Sequence, residues 1–126
     1  MPQFVVLTHD HPSWHWDFML STGEALRTWR LEVDPFTRGG GAATPLADHR
    51  LAYLAYEGPV SGGRGTVARW DAGNYECLVD EPERIEVRLT GGLLRGRLTL
   101  ERAPGGGLWR FYFLPDAPAG GDQATR

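Results

Sequence analysis

The sequence predicts an all-β fold, a single antiparallel β-barrel of about eight strands. The 126 residues include 17 glycines and 9 prolines, a composition typical of many short strands joined by turns. Runs rich in β-branched and aromatic residues recur at the spacing of hairpins. Several of these runs alternate apolar and polar residues, which is the period of a strand with one buried face. No helix of normal length is needed to account for the chain.

The first half of the chain is predicted to contain five strands, because each run is rich in β-branched or aromatic residues and is bounded by turn-forming residues. The runs are residues 3–8, 14–20, 25–33, 51–57 and 65–71. A Ser-Thr-Gly turn at 21–23 separates the second run from the third. Residues 37–44 are rich in Gly and Ala and are predicted to form a mobile loop. The Gly-Gly-Arg-Gly segment at 62–65 is predicted to be a hairpin turn, because no helix follows it to bind a phosphate.

Four further strands are predicted in the second half, at residues 73–79, 85–90, 93–101 and 108–114. Their turns are expected at 71–73 (Asp-Ala-Gly), 90–92 (Thr-Gly-Gly) and 104–107 (Pro-Gly-Gly-Gly). Ile85, Val87 and Leu89 alternate with charged residues, which predicts one buried and one solvent-facing side. The aromatic residues at 109, 111 and 113 alternate in the same way and predict a core strand.

The chain length fits one domain, which we expect to span residues 1–115, with residues 116–126 as a flexible C-terminal tail. The single cysteine, Cys77, excludes an internal disulfide, and no basic start precedes a long apolar run. We therefore expect a cytoplasmic protein without a membrane segment. All 13 basic residues are arginine, and the net charge is −3. This charge weighs against nucleic-acid binding but leaves room for a local arginine cluster.

The most unusual segment is 9–18, His-Asp-His-Pro-Ser-Trp-His-Trp-Asp-Phe, which holds three of the four histidines. Two imidazoles and a carboxylate, from His9, His15 and Asp17, form a ligand set that suits Mn²⁺, Fe²⁺, Zn²⁺ or Co²⁺. For any single histidine the ordinary explanation is an exposed residue at a strand end, but the density of the whole set favours a metal site. The sequence therefore predicts a candidate metal site in this segment.

Strand geometry predicts how this segment divides between two faces. In a strand, side chains alternate, so one face would be a candidate site and the other a core. The site face would present His15, Asp17 and Met19, and the core face would present Trp14, Trp16 and Phe18. On this interpretation, replacing Trp14 damages folding first.

The fourth histidine, His49, stands at the head of the predicted strand 51–57, and Tyr53 follows on the same face. In a barrel this strand could close over the first cluster. His49 would then act as a general acid or bind a substrate oxyanion directly.

Several blocks of the sequence together resemble a known family. The blocks are the pattern at 9–18, then Gly23 with Leu26 and Trp29, Asp48-His49 with Leu51 and Tyr53, 56–58 (Tyr-Glu-Gly), 65–67 (Gly-Thr-Val), 70–73 (Trp-Asp-Ala-Gly), 94–97 (Leu-Arg-Gly-Arg) and Trp109. In this order and spacing they resemble the 3′-phosphoesterase domain of bacterial ATP-dependent DNA ligase D, the end-joining repair enzyme. The resemblance runs from about Phe4 to Leu114, and with no polymerase or ligase domain attached it implies a stand-alone, divergent member.

The resemblance implies a β-barrel with a polar metal-binding cleft. It also implies a metal-dependent hydrolase that trims DNA 3′ ends as a phosphodiesterase and then as a phosphomonoesterase. It implies His9, His15 and Asp17 as ligands of a divalent metal, most often Mn²⁺, with Zn²⁺, Co²⁺ or Fe²⁺ also compatible. It further implies His49 and Tyr53 as catalytic-pocket residues. The implied partners are DNA or RNA–DNA 3′ ends, together with DNA ligase, polymerase or Ku-like repair proteins.

Three positions depart from the family's polar pattern. Met19, Gly41 and Ala47 stand where the resemblance implies two arginines and a glutamate. Candidates to bind the substrate phosphate in their place are Arg50, Arg30 and Arg64. Two alternatives therefore stay open: a catalytically weakened metal-binding module that binds nucleic acid or a repair partner, and a cupin-like Fe(II) enzyme.

Overall fold

The computed structural model describes residues 2–117 and is all-β. Nine strands follow one another along the chain: β1 (Gln3–His9), β2 (His15–Ser21), β3 (Ala25–Leu31), β4 (Gly41–Arg50), β5 (Gly58–Pro59), β6 (Thr66–Glu81), β7 (Arg84–Gly91), β8 (Arg95–Arg102) and β9 (Trp109–Pro115). The helical structure of the described residues is limited to one 3₁₀ turn, Leu51–Leu54, between β4 and β5. The predicted all-β class is confirmed.

The strands form one antiparallel sheet in the order β1-β2-β3-β4-β9-β8-β7-β6-β5. Because β1 also pairs with β6, eight of the nine strands close into a ring. The short strand β5 lies outside this ring, hydrogen-bonded to β6. The prediction of about eight antiparallel strands is therefore confirmed.

The main core fills the inside of the ring. It collects buried side chains from seven strands, including Val6, Phe18, Leu31, Val87, Leu98 and Phe111. In β7 the alternation predicted from the sequence is observed, with Ile85, Val87 and Leu89 buried. Trp109 and Phe113 pack against the same core, as predicted for β9.

A second, smaller cluster lies on the outer face of β1 and β2. It contains Val5, Leu7 and Met19, and the 3₁₀ turn covers it with Tyr53 and Leu54. Strands β1 and β2 are therefore buried on both faces, which is why their sequences are almost continuously apolar. The segment after β4 thus forms a roof over the outer face of the ring.

Three predicted elements differ from the structure. The predicted strand 51–57 is wrong: these residues form the 3₁₀ turn and its exit, because Tyr53 and Leu54 pack down on the outer cluster. The mobile loop predicted at 37–44 is wrong from residue 41 onward, where β4 begins. Glycine suits position 41, because a Cβ atom there would lie 2.6 Å from Cγ2 of Val33. The preceding Gly40 allows the chain to approach β9, because a Cβ atom there would collide with the Phe111 carbonyl.

The turn predicted at 71–73 is also wrong, since β6 runs unbroken from Thr66 to Glu81. The carboxylate of Asp71 serves a distant turn instead, accepting hydrogen bonds from the backbone N–H groups of residues 92–94 at 2.7–3.0 Å. Gly73 is needed because a Cβ atom would collide with the Thr90 carbonyl of β7. Both turn-forming residues therefore act across strands.

Trp14 is not part of the core. The strand β2 begins at His15, and the Trp14 side chain is 57% exposed. The predicted tail lies outside the described residues from position 118 onward. Within the described residues, no helix is long and apolar enough to cross a membrane.

Candidate functional site

The hairpin of β1 and β2 brings two histidines side by side. His9 ends β1, His15 begins β2, and the two are directly paired across the hairpin. Directly paired residues project to the same face, and the ring centroids are 4.9 Å apart. Asp17 lies two residues along β2, so its carboxylate projects to that same face.

The side chains of His9, His15 and Asp17 form a compact cluster, here called the metal group. Nδ1 of His9 lies 3.5 Å from Oδ2 of Asp17, and Nε2 of His15 lies 3.2 Å from Oδ1. One candidate ligand atom from each residue lies within 4.8 Å of the others. Two ligand atoms that share one transition-metal ion at about 2.1 Å stand roughly 3.0–3.4 Å apart, so both distances to the Asp17 carboxylate are close to those around a shared cation. The structure thus brings together the three predicted metal ligands.

Backbone carbonyls fix the protonation pattern of both imidazoles. Nε2 of His9 lies 2.7 Å from the Arg64 carbonyl, and Nδ1 of His15 lies 2.8 Å from the Ser13 carbonyl. A carbonyl oxygen only accepts, so each of these nitrogens must donate its N–H. In the neutral imidazoles, the remaining nitrogens carry lone pairs, and both of these nitrogens face Asp17. Such fixing of a ligand histidine by a second hydrogen bond is typical of metal sites.

The carboxylate of Asp17 is buried and incompletely bonded. Its side chain is almost inaccessible, and Oδ1 has no hydrogen-bond partner among the described residues. Three acceptor atoms therefore converge on one point with no donor between them. A buried unsatisfied acceptor is costly, and a cation is the partner that would satisfy all three. The residues present therefore fit a divalent metal.

The turn before β6 holds this arrangement in place. Asp10 accepts a hydrogen bond from the backbone N–H of Thr66 at 2.8 Å, which ties the β1–β2 hairpin to this turn. Gly65 adopts a φ of +77°, and a Cβ atom there would collide with Asp10. The close approach puts the Arg64 carbonyl on His9. The predicted hairpin turn at 62–65 is confirmed, and it has this second role.

A pocket of about 520 Å³ opens beside the metal group. The pocket lies between the outer face of the ring and the segment that follows β4. Its lining includes His9, Asp17, Met19, Arg30, His49, Arg50, Tyr53 and Arg64. All the predicted catalytic and phosphate-binding side chains therefore share one pocket, whereas His15 is buried and does not line it.

His49 reaches this pocket from the end of β4, not from the head of a strand. Its Nδ1 donates to the Ala47 carbonyl at 3.0 Å, which leaves Nε2 free for a ligand. The ring packs edge-on against Tyr53, with 5.8 Å between centroids, and Tyr53 packs in the same way against Tyr56. Tyr56 donates in turn to the Pro59 carbonyl. The aromatic series holds His49 in position.

The three candidate arginines differ in their surroundings. Arg64 is exposed and bonds to its own turn, through Ser61 O at 2.7 Å and Ser61 Oγ at 3.1 Å. Arg50 is exposed at the end of β4. Arg30 is half-buried on β3, directly opposite Asp17, and its buried Nε has no hydrogen-bond partner among residues 2–117.

The three departures also fall in different places. Met19 is buried in the outer cluster and forms an apolar wall of the pocket, and Ala47 lies on the pocket rim. Gly41 begins β4 opposite Phe111 and does not line the pocket.

Comparison with known proteins places the chain in a family. Residues 7–102 match the family described as the DNA ligase D 3′-phosphoesterase domain. The chain is also 31% identical, over 130 aligned residues, to the multifunctional non-homologous end joining protein LigD of Pseudomonas aeruginosa. That alignment covers 94% of this chain and 15% of the relative. The chain belongs to the DNA ligase D 3′-phosphoesterase domain family. The resemblance identified from the sequence is therefore confirmed.

The matched region of this 3′-phosphoesterase domain contains the whole metal group, His49, Tyr53 and the three arginines. What the sequence could not supply are the backbone contacts that orient the site. The carbonyls of Ser13 and Arg64 carry no side-chain pattern, and their roles depend on how the 3′-phosphoesterase domain folds. The glycine at position 65 is the one residue that hints at them, because glycine permits a close backbone approach.

Proposed function

We propose that this chain is a divalent-metal-dependent 3′-phosphoesterase that acts on phosphodiester and phosphomonoester groups at DNA 3′ ends during repair. The observation that carries the proposal is the convergence of three acceptor atoms, from His9, His15 and Asp17, beside a pocket lined by arginines and His49. Family membership supports the same reaction class.

The metal would be held by Nδ1 of His9, Nε2 of His15 and the carboxylate of Asp17. We propose Mn²⁺, although two imidazoles and a carboxylate also suit Zn²⁺, Co²⁺ or Fe²⁺. When bound, the ion supplies a positive charge that polarises a phosphoryl oxygen. The neighbouring carbonyls of Ser13 and Arg64 keep both imidazoles in the ligand orientation.

His49 is the residue we propose to contact the scissile phosphate. Its Nδ1–H is already bonded to the Ala47 carbonyl, so a second proton can only be held at Nε2, the nitrogen left free for the substrate. The imidazolium then donates to a phosphoryl oxygen or protonates the leaving oxygen. Tyr53 restricts the ring to this orientation and presents its own side chain to the same pocket. A general acid of this kind contributes about 10²–10⁴-fold to the rate.

The proposed substrates are DNA or RNA–DNA 3′ ends that carry a phosphate or a terminal ribonucleotide. The name of the Pseudomonas aeruginosa relative places that protein in non-homologous end joining. By this similarity we also propose a DNA ligase, a polymerase or a Ku-like protein as repair partners. The family assignment favours this activity over the cupin-like Fe(II) alternative.

An end-resection assay tests the proposal. A labelled primer–template with a 3′-phosphate or a 3′-ribonucleotide is incubated with the protein, with Mn²⁺ or with chelator. We expect Mn²⁺-dependent formation of a 3′-hydroxyl, which His15→Ala abolishes and His49→Ala lowers about 10²–10³-fold. His11→Ala removes a histidine from the same hairpin but leaves the three ligand residues intact, so it should retain metal binding.

Each other outcome has a defined meaning. Full activity in chelator would refute metal dependence. Stoichiometric metal binding without conversion of either substrate would refute the catalytic proposal and favour a binding module. Turnover that required oxygen and bound iron would favour the Fe(II) enzyme.

A further inference from the structure

Arg30 occupies a distinctive position relative to the metal group. In the β2–β3 register its Cα atom is paired with that of Asp17, so both side chains project to the outer face. Directly paired side chains have Cβ atoms roughly 4.5–5.5 Å apart. The guanidinium therefore starts beside the carboxylate of the metal group, in the lining of the same pocket.

Within residues 2–117, no acidic side chain forms an ion pair with this guanidinium. The arginine ion pairs of the described residues are formed by Arg27, Arg84, Arg88 and Arg97, and Arg30 forms none with an acidic side chain. Its Nε is also buried without a hydrogen-bond partner. Asp17, the nearest acid by register, is directed to the two histidines instead. A half-buried cation with an unpaired donor is suited to binding an anion.

The surroundings strengthen the binding of an anion at this point. Leu7, Met19 and Leu46 line the same pocket, so a charge there is less screened than on the open surface. A guanidinium presents paired N–H donors that match two oxygens of a phosphate. Arg64, by contrast, is bonded to its own turn, and Arg50 is exposed at the end of β4. These surroundings make Arg30 a better candidate to bind phosphate than Arg50 or Arg64.

We propose that Arg30 binds the phosphoryl oxygens of the substrate, next to the metal. This assignment rests on the proposed function for the identity of the substrate, a phosphate ester at a nucleic-acid 3′ end. The binding of phosphate itself can be measured without turnover.

The experiment measures the binding of inorganic phosphate to the full, Mn²⁺-loaded protein by calorimetry. Arg30→Gln should raise the phosphate dissociation constant about 10- to 100-fold, because two charge-assisted hydrogen bonds are lost. Arg27→Gln is the matched control: it removes the same charge from the same strand, but Arg27 pairs with Asp80 outside this pocket. This control should stay within twofold of the wild type.

Mn²⁺ affinity separates this role from a structural one. Losing a positive charge beside the ligands should leave Mn²⁺ binding unchanged or tighter, whereas a structural defect would weaken it. If Arg30→Gln does not fold, Arg30→Lys should still weaken phosphate binding about three- to tenfold, since an ammonium cannot bind two oxygens in parallel. Phosphate binding within twofold of Arg27→Gln, or no phosphate binding by the wild type, would overturn the assignment.

The two proposals can fail separately. Phosphate binding that depends on Arg30, without turnover of a 3′-phosphate end, would refute the catalytic proposal and support Arg30 as an anion site. Mn²⁺-dependent turnover with an unchanged KM in Arg30→Gln would do the reverse.

Discussion

Replacing Asp17 by asparagine should stabilise the metal-free protein and abolish its stabilisation by Mn²⁺. Without metal, Oδ1 of Asp17 is buried, has no hydrogen-bond partner and lies 3.2 Å from Nε2 of His15. That nitrogen carries a lone pair because Nδ1 donates to Ser13. The asparagine amide can donate to Nε2, which removes an unsatisfied buried acceptor worth about 1–3 kcal/mol. We expect the Tm of metal-free Asp17→Asn to lie about 5 °C above that of the wild type.

With Mn²⁺ added, the wild type should instead have a higher Tm than Asp17→Asn. At a Mn²⁺ concentration of about 100 times the dissociation constant, binding stabilises a folded protein by about 2.7 kcal/mol. For a chain of this length, that corresponds to a rise in Tm of roughly 10 °C. The wild type should show this rise, and Asp17→Asn should show little of it, because an amide is a poor ligand for a divalent transition metal.

Thermal unfolding followed by circular dichroism at pH 8, with chelator or with added Mn²⁺, measures both effects. The pH is held constant because metal binding to protein ligands depends on pH. Asp48→Asn is the control, since Asp48 lines the same pocket but stands outside the metal group. If metal-free Asp17→Asn had a lower Tm than the wild type, this would refute the inference that three lone-pair-bearing atoms face one another without a donor. A full Mn²⁺ shift in that variant would refute Asp17 as a ligand.

Three further predictions concern the fold. Tyr75 donates to the Ser21 carbonyl at 2.6 Å, and burial raises its pKa above the usual 10.0, so Tyr75→Phe should cost about 1 kcal/mol at pH 7. Since the pKa is higher in the folded state, this contribution is lost as pH rises above about 10, and urea unfolding should show the two proteins converging there. Asp71→Ala should cost about 2–4 kcal/mol in urea unfolding, because three backbone N–H groups lose their acceptor; a cost below 1 kcal/mol would contradict this. Trp14→Ala should change the free energy of unfolding by less than about 1 kcal/mol, because the side chain is mostly exposed, and a larger loss would show that it packs in the core.

Strand periodicity predicted most of the fold because it reflects burial on one side. The prediction from periodicity succeeded where one face of a strand is buried and the other faces solvent, as at Ile85, Val87 and Leu89. It failed at 51–57, where apolar residues pack as a 3₁₀ turn over a second cluster. It failed again at Asp71 and Gly73, whose turn-forming character serves contacts with other strands. Local sequence cannot distinguish a residue that makes its own turn from one that completes a distant turn.

Some residues of the candidate site could be predicted from local sequence, whereas others depend on contacts between distant parts of the chain. His9, His15 and Asp17 could be predicted together because a hairpin brings residues close in sequence onto one face. Arg30 could only be named as one of three arginines, because its place opposite Asp17 depends on the register between β2 and β3. The register is set by the packing of both faces of these strands rather than by any motif.

The net charge of the pocket predicts that a bound divalent metal strengthens the binding of phosphate. Its lining carries three guanidinium groups, from Arg30, Arg50 and Arg64, against the carboxylates of Asp17 and Asp48. With neutral histidines the pocket has one net positive charge, and a divalent cation raises this to three. Phosphate should therefore bind more tightly to the metal-loaded protein than to the metal-free protein, although the net charge of the whole chain is −3.

Thermodynamic linkage makes this a strict prediction. If bound Mn²⁺ tightens phosphate binding by some factor, phosphate must tighten Mn²⁺ binding by the same factor, and a coupling of about 5- to 150-fold is usual. Calorimetric titration of each ligand in the presence and absence of the other measures both factors. Independent binding would mean that phosphate sits away from the metal group, and neither His49 nor Arg30 could then act on a metal-bound phosphate ester. Coupling that disappears in Asp17→Asn but persists in Asp48→Asn would place the phosphate at the metal itself.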